Sequence, residues 1–313
     1  MCTVATRITR TLASAVLGCT IIAWGGEQTA FDLAAYRVEI QAWRTERLER
    51  LKAPDGYLSL VGLYWLEPGT RRIGSAADND IVFPPTAAAH VGTLRIGADG
   101  VVFVADPAAD ARHDGMPVGS LAMADDLTEH PVTVTQGSFA FTIIRRDRQL
   151  ALRLRDFASP AVADLPQIEY YPLDLELRVD AVLRRYDKPR VLDVDTVIEG
   201  LGYHPQSPGR LAFRIDGKLY ELEAYAEGDS LFIVFGDATS GRETYPAGRF
   251  LYANLPDASG HTVLDFNRAY NPPCAFNEFA TCPVASPRNR LPVPIRAGEK
   301  FDVAAHAAAA GIH

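Results

Sequence analysis

The chain has 313 residues, 48% hydrophobic and 22% charged, enough for one large or two smaller globular units and unlike a disordered polymer or a membrane-spanning bundle. Its formal charge is −8, and loss of the first 25 residues would take Arg7 and Arg10 with it, leaving 29 − 39 = −10. Such an acidic surface repels phosphate backbones, which excludes nucleic acid as a partner.

Residues 1–25 read as an export signal. Arg7 and Arg10 make the start positive, and no acidic residue precedes Glu27. The apolar run from Leu12 to Trp24 is shorter than the ~20 residues a membrane span needs. Ala23-Trp-Gly25 offers a small-x-small cleavage site. The alternative takes Val16-Leu-Gly-Cys19 as a lipoprotein box, with a lipid on Cys19 as the membrane attachment. Either way the expected place is extracytoplasmic, periplasmic or secreted. Cys2 and Cys19 lie in the signal, which leaves Cys274 and Cys282 as the cysteine pair of the mature chain. In an oxidising compartment a lone pair eight residues apart reads as a disulfide, stabilising by about 2–3 kcal/mol in the chain-entropy picture.

Phe31 to Leu51 has helical periodicity, with Leu33, Tyr36, Ile40, Trp43 and Leu51 near one face. Pro54-Asp-Gly56 stops it. It is expected to pack across the first sheet. From Tyr57 the pattern turns to strands: Tyr57–Leu66, Ile81–Phe83, Leu94–Ile96, Val101–Val104, Val132–Val134, Phe139–Ile144 and Leu150–Leu154. Gly, Asp and Pro clusters divide them, the pattern of a β-sandwich or barrel.

Arg72-Ile-Gly-Ser-Ala-Ala-Asp-Asn-Asp-Ile-Val-Phe-Pro84, Ala89-His-Val-Gly-Thr-Leu-Arg-Ile96 and Asp114-Gly115 resemble the strand-and-loop rhythm of a forkhead-associated domain, over roughly 60–155. Such domains read phosphothreonine through an arginine after the glycine. Ser75 stands there instead, so the likeness is one of architecture.

Asp156 to Pro172, broken by Pro160, Pro166 and Pro172, is the seam. It separates residues 31–155, helix plus sandwich, from a C-terminal β-domain over 165–303 and a tail at 304–313. Leu173 to Leu183 alternates with charged residues as a half-buried strand. Leu211–Ile215, the turn Asp216-Gly217 and Leu219–Tyr225 form a hairpin. Leu231–Phe235, Arg249–Leu255 and Thr262–Phe266 follow. The expected fold is mainly β, two sandwich- or barrel-like parts behind one helix, with a long C-terminal loop.

Familiar catalytic signatures are missing: no G-x-S-x-G, no phosphate-binding P-loop and no H-E-x-x-H. Gly200-Leu-Gly202 is followed by Pro205 where a dinucleotide site would open a helix. The seven histidines are scattered singly. Nothing in the sequence asks for a metal or other cofactor.

A set of longer motifs remains. They are Asp55-Gly-Tyr-Leu-Ser-Leu-Val-Gly-Leu-Tyr-Trp-Leu66, Gly241-Arg-Glu-Thr-Tyr245, Gly248-Arg-Phe-Leu251, Asp265-Phe-Asn-Arg-Ala-Tyr-Asn-Pro-Pro-Cys-Ala-Phe276, Thr281-Cys-Pro283, Asn289–Ile295 and Ala297–Lys300. Together they resemble the "domain of unknown function 1684" family over most of residues 35–300. That resemblance implies membership and no reaction.

The chemistry is therefore read from residue types. Arg249, Asp265, Asn267 and Asn271, with Tyr245 and Tyr270, could bind a small polar ligand through directed hydrogen bonds. Glu243 and Asp265 could instead be the acid/base pair of a hydrolase. In the third reading Arg249 clamps the loop through a carboxylate, while Asp265, Asn267 and Asn271 cap turns around Pro272-Pro273 in a structural or interaction protein of the envelope. As thiols, Cys274 and Cys282 would be wide for a zinc pair, and a nucleophilic Cys274 has no histidine near it in sequence.

Overall fold

The structure, a computed structural model, describes residues 31–165 and 167–304. The signal expected at 1–25, Cys19 with it, and the tail beyond Ala304 lie outside the described residues. Among those described, no helix is long and apolar enough to cross a membrane.

Asp32 starts the α-helix Leu33–Lys52. Its carboxylate accepts the free N–H groups of Ala34 and Ala35 at 2.9 and 3.0 Å. The buried stripe is Tyr36, Ile40, Arg47 and Leu51, while Leu33 is exposed and Trp43 half-buried. This helix does not lie across the first sheet as expected. It docks on the C-terminal half, where Tyr36 donates to Asp265 at 2.9 Å and Arg47 meets Glu299 at 3.2 Å. The reason is the charge in the stripe: a buried Arg47 needs a buried carboxylate, and residue 299 supplies it.

The N-terminal unit is a sandwich. One antiparallel sheet orders Leu60–Leu66, Gln149–Asp156, Phe139–Arg146, Thr133–Gln136, Arg112–His113 and Met116–Pro117. The other orders Ile81–Val82, Gly69–Gly74, Gly92–Gly97, Gly100–Ala105 and Ser120–Met123, with its first pair parallel. Alternation decides the faces: Phe141, Ile143, Leu152 and Leu154 point between the sheets with Ile73, Leu94 and Phe103. Thr142, Arg146, Ala151 and Arg153, one position off, face the other way.

The C-terminal unit is one antiparallel sheet: Arg249–Asn254, Ser230–Phe235, Lys218–Glu227, Gln206–Ile215, Arg178–Val191 and His261–Asp265. Its two end strands meet, Thr262 donating to the Asn254 carbonyl at 2.9 Å, so the sheet curls into a nearly closed barrel. The strand expected from Leu173 starts only at Arg178, because Asp174 caps a 3₁₀ turn over Leu175–Leu177. Leu231, Ile233 and Phe235 fill the barrel, while Phe232 and Val234 point outward under a second apolar cluster with Phe250, Cys274 and Cys282. That is why Leu231-Phe-Ile-Val-Phe235 is apolar on both faces. The loop carrying the cysteines covers the outward face and touches the sandwich, with Asn277 donating to the Leu60 carbonyl at 2.8 Å.

Candidate functional site

Arg249 is sealed inside the barrel end, 1% exposed. Its Nη2 pairs with Asp237 at 2.9 Å and donates to Ile295 O at 2.7 Å, while Nη1 donates to the carbonyls of Ala297 and Glu299. The guanidinium thus ties Arg249 to the stretch Ile295–Glu299. Its carboxylate partner is Asp237, not Glu243 or Asp265.

The other expected residues are equally engaged. Asp265 caps the turn Phe266–Arg268 and accepts from Tyr36 and Asn267. Asn267 bridges both backbone groups of Asp174, at 2.9 and 2.7 Å. Asn271 donates its side chain to Lys300 O and its backbone N–H to Glu299. Tyr245 donates to Cys274 O at 3.2 Å. Glu243 lies at the surface between Arg296 and Tyr171, whose hydrogen bonds hold its carboxyl down to about 2. Glu243 and Asp265 share no hydrogen-bond partner, and neither lines the cleft described below. Of the expected site residues, Tyr270 and Cys282 reach that cleft.

The two cysteines, expected to be joined, are free thiols in the structure, buried side by side. Cys274 N–H donates to Cys282 Sγ at 3.1 Å. A hydrogen bond from Cys282 pulls the Cys274 thiol below its ordinary range, and the same interaction, with burial, pushes Cys282 up. Among the described residues, no group of three His, Cys, Asp or Glu is placed to hold a metal ion.

A concave feature of the fold lies elsewhere, between the outer face of the first sheet and the barrel. It is a cleft of about 950 Å³, within the range of small-molecule sites. Its sandwich wall carries Arg145, Arg146 and Arg153 from the paired strands Phe139–Arg146 and Gln149–Asp156. Arg145 pairs with Asp125 at 2.6 Å and Arg146 with Asp126 at 2.7 Å. Two of these three arginines are thus held by carboxylates, and Arg47, Arg50, Asp55, Asp147 and Glu227 also line the cleft. Arg153, 8% exposed, is the one left over: among the described residues no carboxylate lies within ion-pair distance of it. Burial, and then the neighbouring Arg146, lower it to about 10. The barrel wall is aromatic, with Tyr203, Tyr252 and Tyr270 half-exposed over Phe232 and Phe250. Thr281 closes the floor, accepting from Arg146 Nε at 3.3 Å and Arg153 Nη2 at 3.5 Å.

Sequence reasoning missed the three arginines. The signal that marks Arg153 is its place inside Leu150-Ala-Leu-Arg-Leu154, a charge in the middle of a buried strand. Only pairing with Leu63 and Thr142 brings it to the outward face over the cleft.

Residues 163–300 match the family model described as "Protein of unknown function (DUF1684)". The resemblance read from the motifs is thereby shown for the C-terminal half, while Asp55–Leu66 lies before the matched segment. Among solved structures, the chain is similar to the solution NMR structure of an uncharacterized protein of Haloarcula marismortui, at 28% identity and a TM-score of 0.39, over 45% of this chain and 80% of that one. No curated protein matches. The DUF1684 segment supplies the barrel, the aromatic wall and Thr281. The arginines come from the residues ahead of it.

Proposed function

We propose that the protein binds a small polar ligand in the cleft between its two β units, outside the cytoplasm if residues 1–25 act as the signal they resemble. The observation that carries this reading is the cleft itself, about 950 Å³, with a buried Arg153 on its wall that no carboxylate of the described residues pairs. A cavity wall with surplus buried cation is costly to fold and is offset when a ligand brings polar groups to it. The Arg249, Asp265, Asn267 and Asn271 group gives the reading no comparable support, since each ties one part of the fold to another and none lines the cleft. Nor does the hydrolase alternative, with Glu243 at the surface and Asp265 under the helix.

A thermal-shift screen of polar metabolites against the wild type and Thr196→Trp, which puts an indole into the cleft, tests the proposal. A ligand present at 100 times its dissociation constant adds about 2.7 kcal/mol to stability. One ligand class is expected to raise the wild-type Tm and to lose that effect in Thr196→Trp. An equal shift in both proteins would place binding elsewhere, and no shift across the panel would reject the reading.

A further inference from the structure

The cleft is chemically two-sided, and this narrows what fits it. On the sandwich side, Arg153 Nε is buried with no hydrogen-bond partner, and its Nη2 reaches only Thr281 Oγ1, at 3.5 Å. A guanidinium carries five donors and no acceptor, so this one is under-used where desolvation is most costly. Arg146 stands beside it, with Nη1 held by Asp126 and Nε on the same Thr281 oxygen. That oxygen accepts from both arginines, which leaves the Thr281 hydroxyl hydrogen to be donated outward. Arg146 and Arg153 thus share one hydroxyl acceptor, while Arg153 Nε has none among the described residues. Planar forks of this kind match the oxygens of carboxylate and phosphate.

On the barrel side, Tyr252 and Tyr270 lie nearly parallel, 9° apart with ring centroids 6.4 Å apart. The Tyr252 hydroxyl is fixed by Glu227 at 2.8 Å, and the residue is still 41% exposed. Its ring is held in place with area free for another flat group.

We propose that the cleft takes an oxyanion carried on a flat ring, an aryl or heteroaryl phosphate or carboxylate, with the anion held by Arg146, Arg153 and Thr281 and the ring against Tyr252 and Tyr270. This deepens the reading of the cleft as a ligand site and rests on it. Phosphate and carboxylate share the recognition chemistry, and the choice between them is an outcome of the test.

Isothermal titration of the full chain with phenyl phosphate, benzoate, inorganic phosphate and phenol provides that test. At least one aryl oxyanion is expected to bind about ten-fold or more tightly than inorganic phosphate or phenol, the stronger of the two naming the head group. Arg153→Met and Arg146→Met should each weaken it about ten-fold or more. Tyr252→Ala should weaken the aryl probe while leaving inorganic phosphate unchanged. Arg153→Lys keeps a charge in the buried site and guards against loss of folding, monitored by circular dichroism; it should bind between wild type and Arg153→Met. Phenol binding as well as phenyl phosphate, oxyanion affinity indifferent to both arginine variants, or no saturable binding up to about 10 mM would overturn the proposal. Neutral ligands that bind, are blocked by Thr196→Trp and ignore Arg153→Met would sink the oxyanion site alone. If no compound of either screen binds in the cleft, both readings fall.

Discussion

Arg249 and Glu243 each belong to an ion pair, one buried and one exposed. Arg249 is buried with a buried Asp237, and its two Nη groups reach that carboxylate and three backbone carbonyls. Arg249→Met would strand Asp237 without its counter-charge and free the chain around Ile295–Glu299. It is expected to cost about 3–5 kcal/mol in urea unfolding, because breaking one half of a buried pair leaves the other uncompensated. Glu243 is 40% exposed on its side chain, so solvent screens its pair with Arg296. Its pH signature should still be visible. The folded carboxyl titrates near 2, below its ordinary value of 4.5. A depressed carboxyl stabilises the fold above its unfolded value and loses that contribution as pH falls through the folded one. Wild type should therefore lose more Tm than Glu243→Gln over that interval, and equal losses would mean that the pair contributes nothing. Residue type alone had offered Arg249 for a ligand site and Glu243 for an acid/base pair. The fold uses one as a clamp and leaves the other at the rim, since burial is set by strand register and not by composition.

At the scale of elements, the sequence was most readable where a local rule acts alone. Asp216-Gly217 joins Gln206–Ile215 to Lys218–Glu227, and both turn residues have positive φ, 50° and 74°. This is the backbone of the tight hairpin turn that asparagine or aspartate followed by glycine prefers. Gly217→Val would force a β-branched residue into that conformation. A loss of about 1–2 kcal/mol is expected in chemical denaturation with the ligand cleft unaffected, and an unchanged midpoint would contradict the turn argument. The helix was also legible, through its apolar spacing and the stop at Pro54-Asp-Gly56. Its docking surface was not. Arg47 breaks the apolar stripe, and nothing local says that Glu299, far along the chain, completes it. The two-residue strands Arg112–His113 and Met116–Pro117 are too short to show a period, and were not predicted.

For the molecule as a whole, composition and pattern determined a mainly β protein with one leading helix, a change of character near the proline-rich seam, and a C-terminal half whose long motifs place it with the DUF1684 family. They do so because strand alternation, turn chemistry and family motifs are written in neighbouring residues. The cleft was decided only by tertiary structure. Its cations come from Phe139–Arg146 and Gln149–Asp156, its rings from the barrel, and Thr281 from the loop between them. Each of these residues has an ordinary local reading: a strand-end arginine pair, an arginine in a strand, tyrosines on a half-buried sheet. Arg153 acquires its meaning when the outer face of one sheet meets the loop laid over another, about 130 residues away in sequence. Burial, unpaired charge and convergence are properties of that meeting, and no window along the chain contains them.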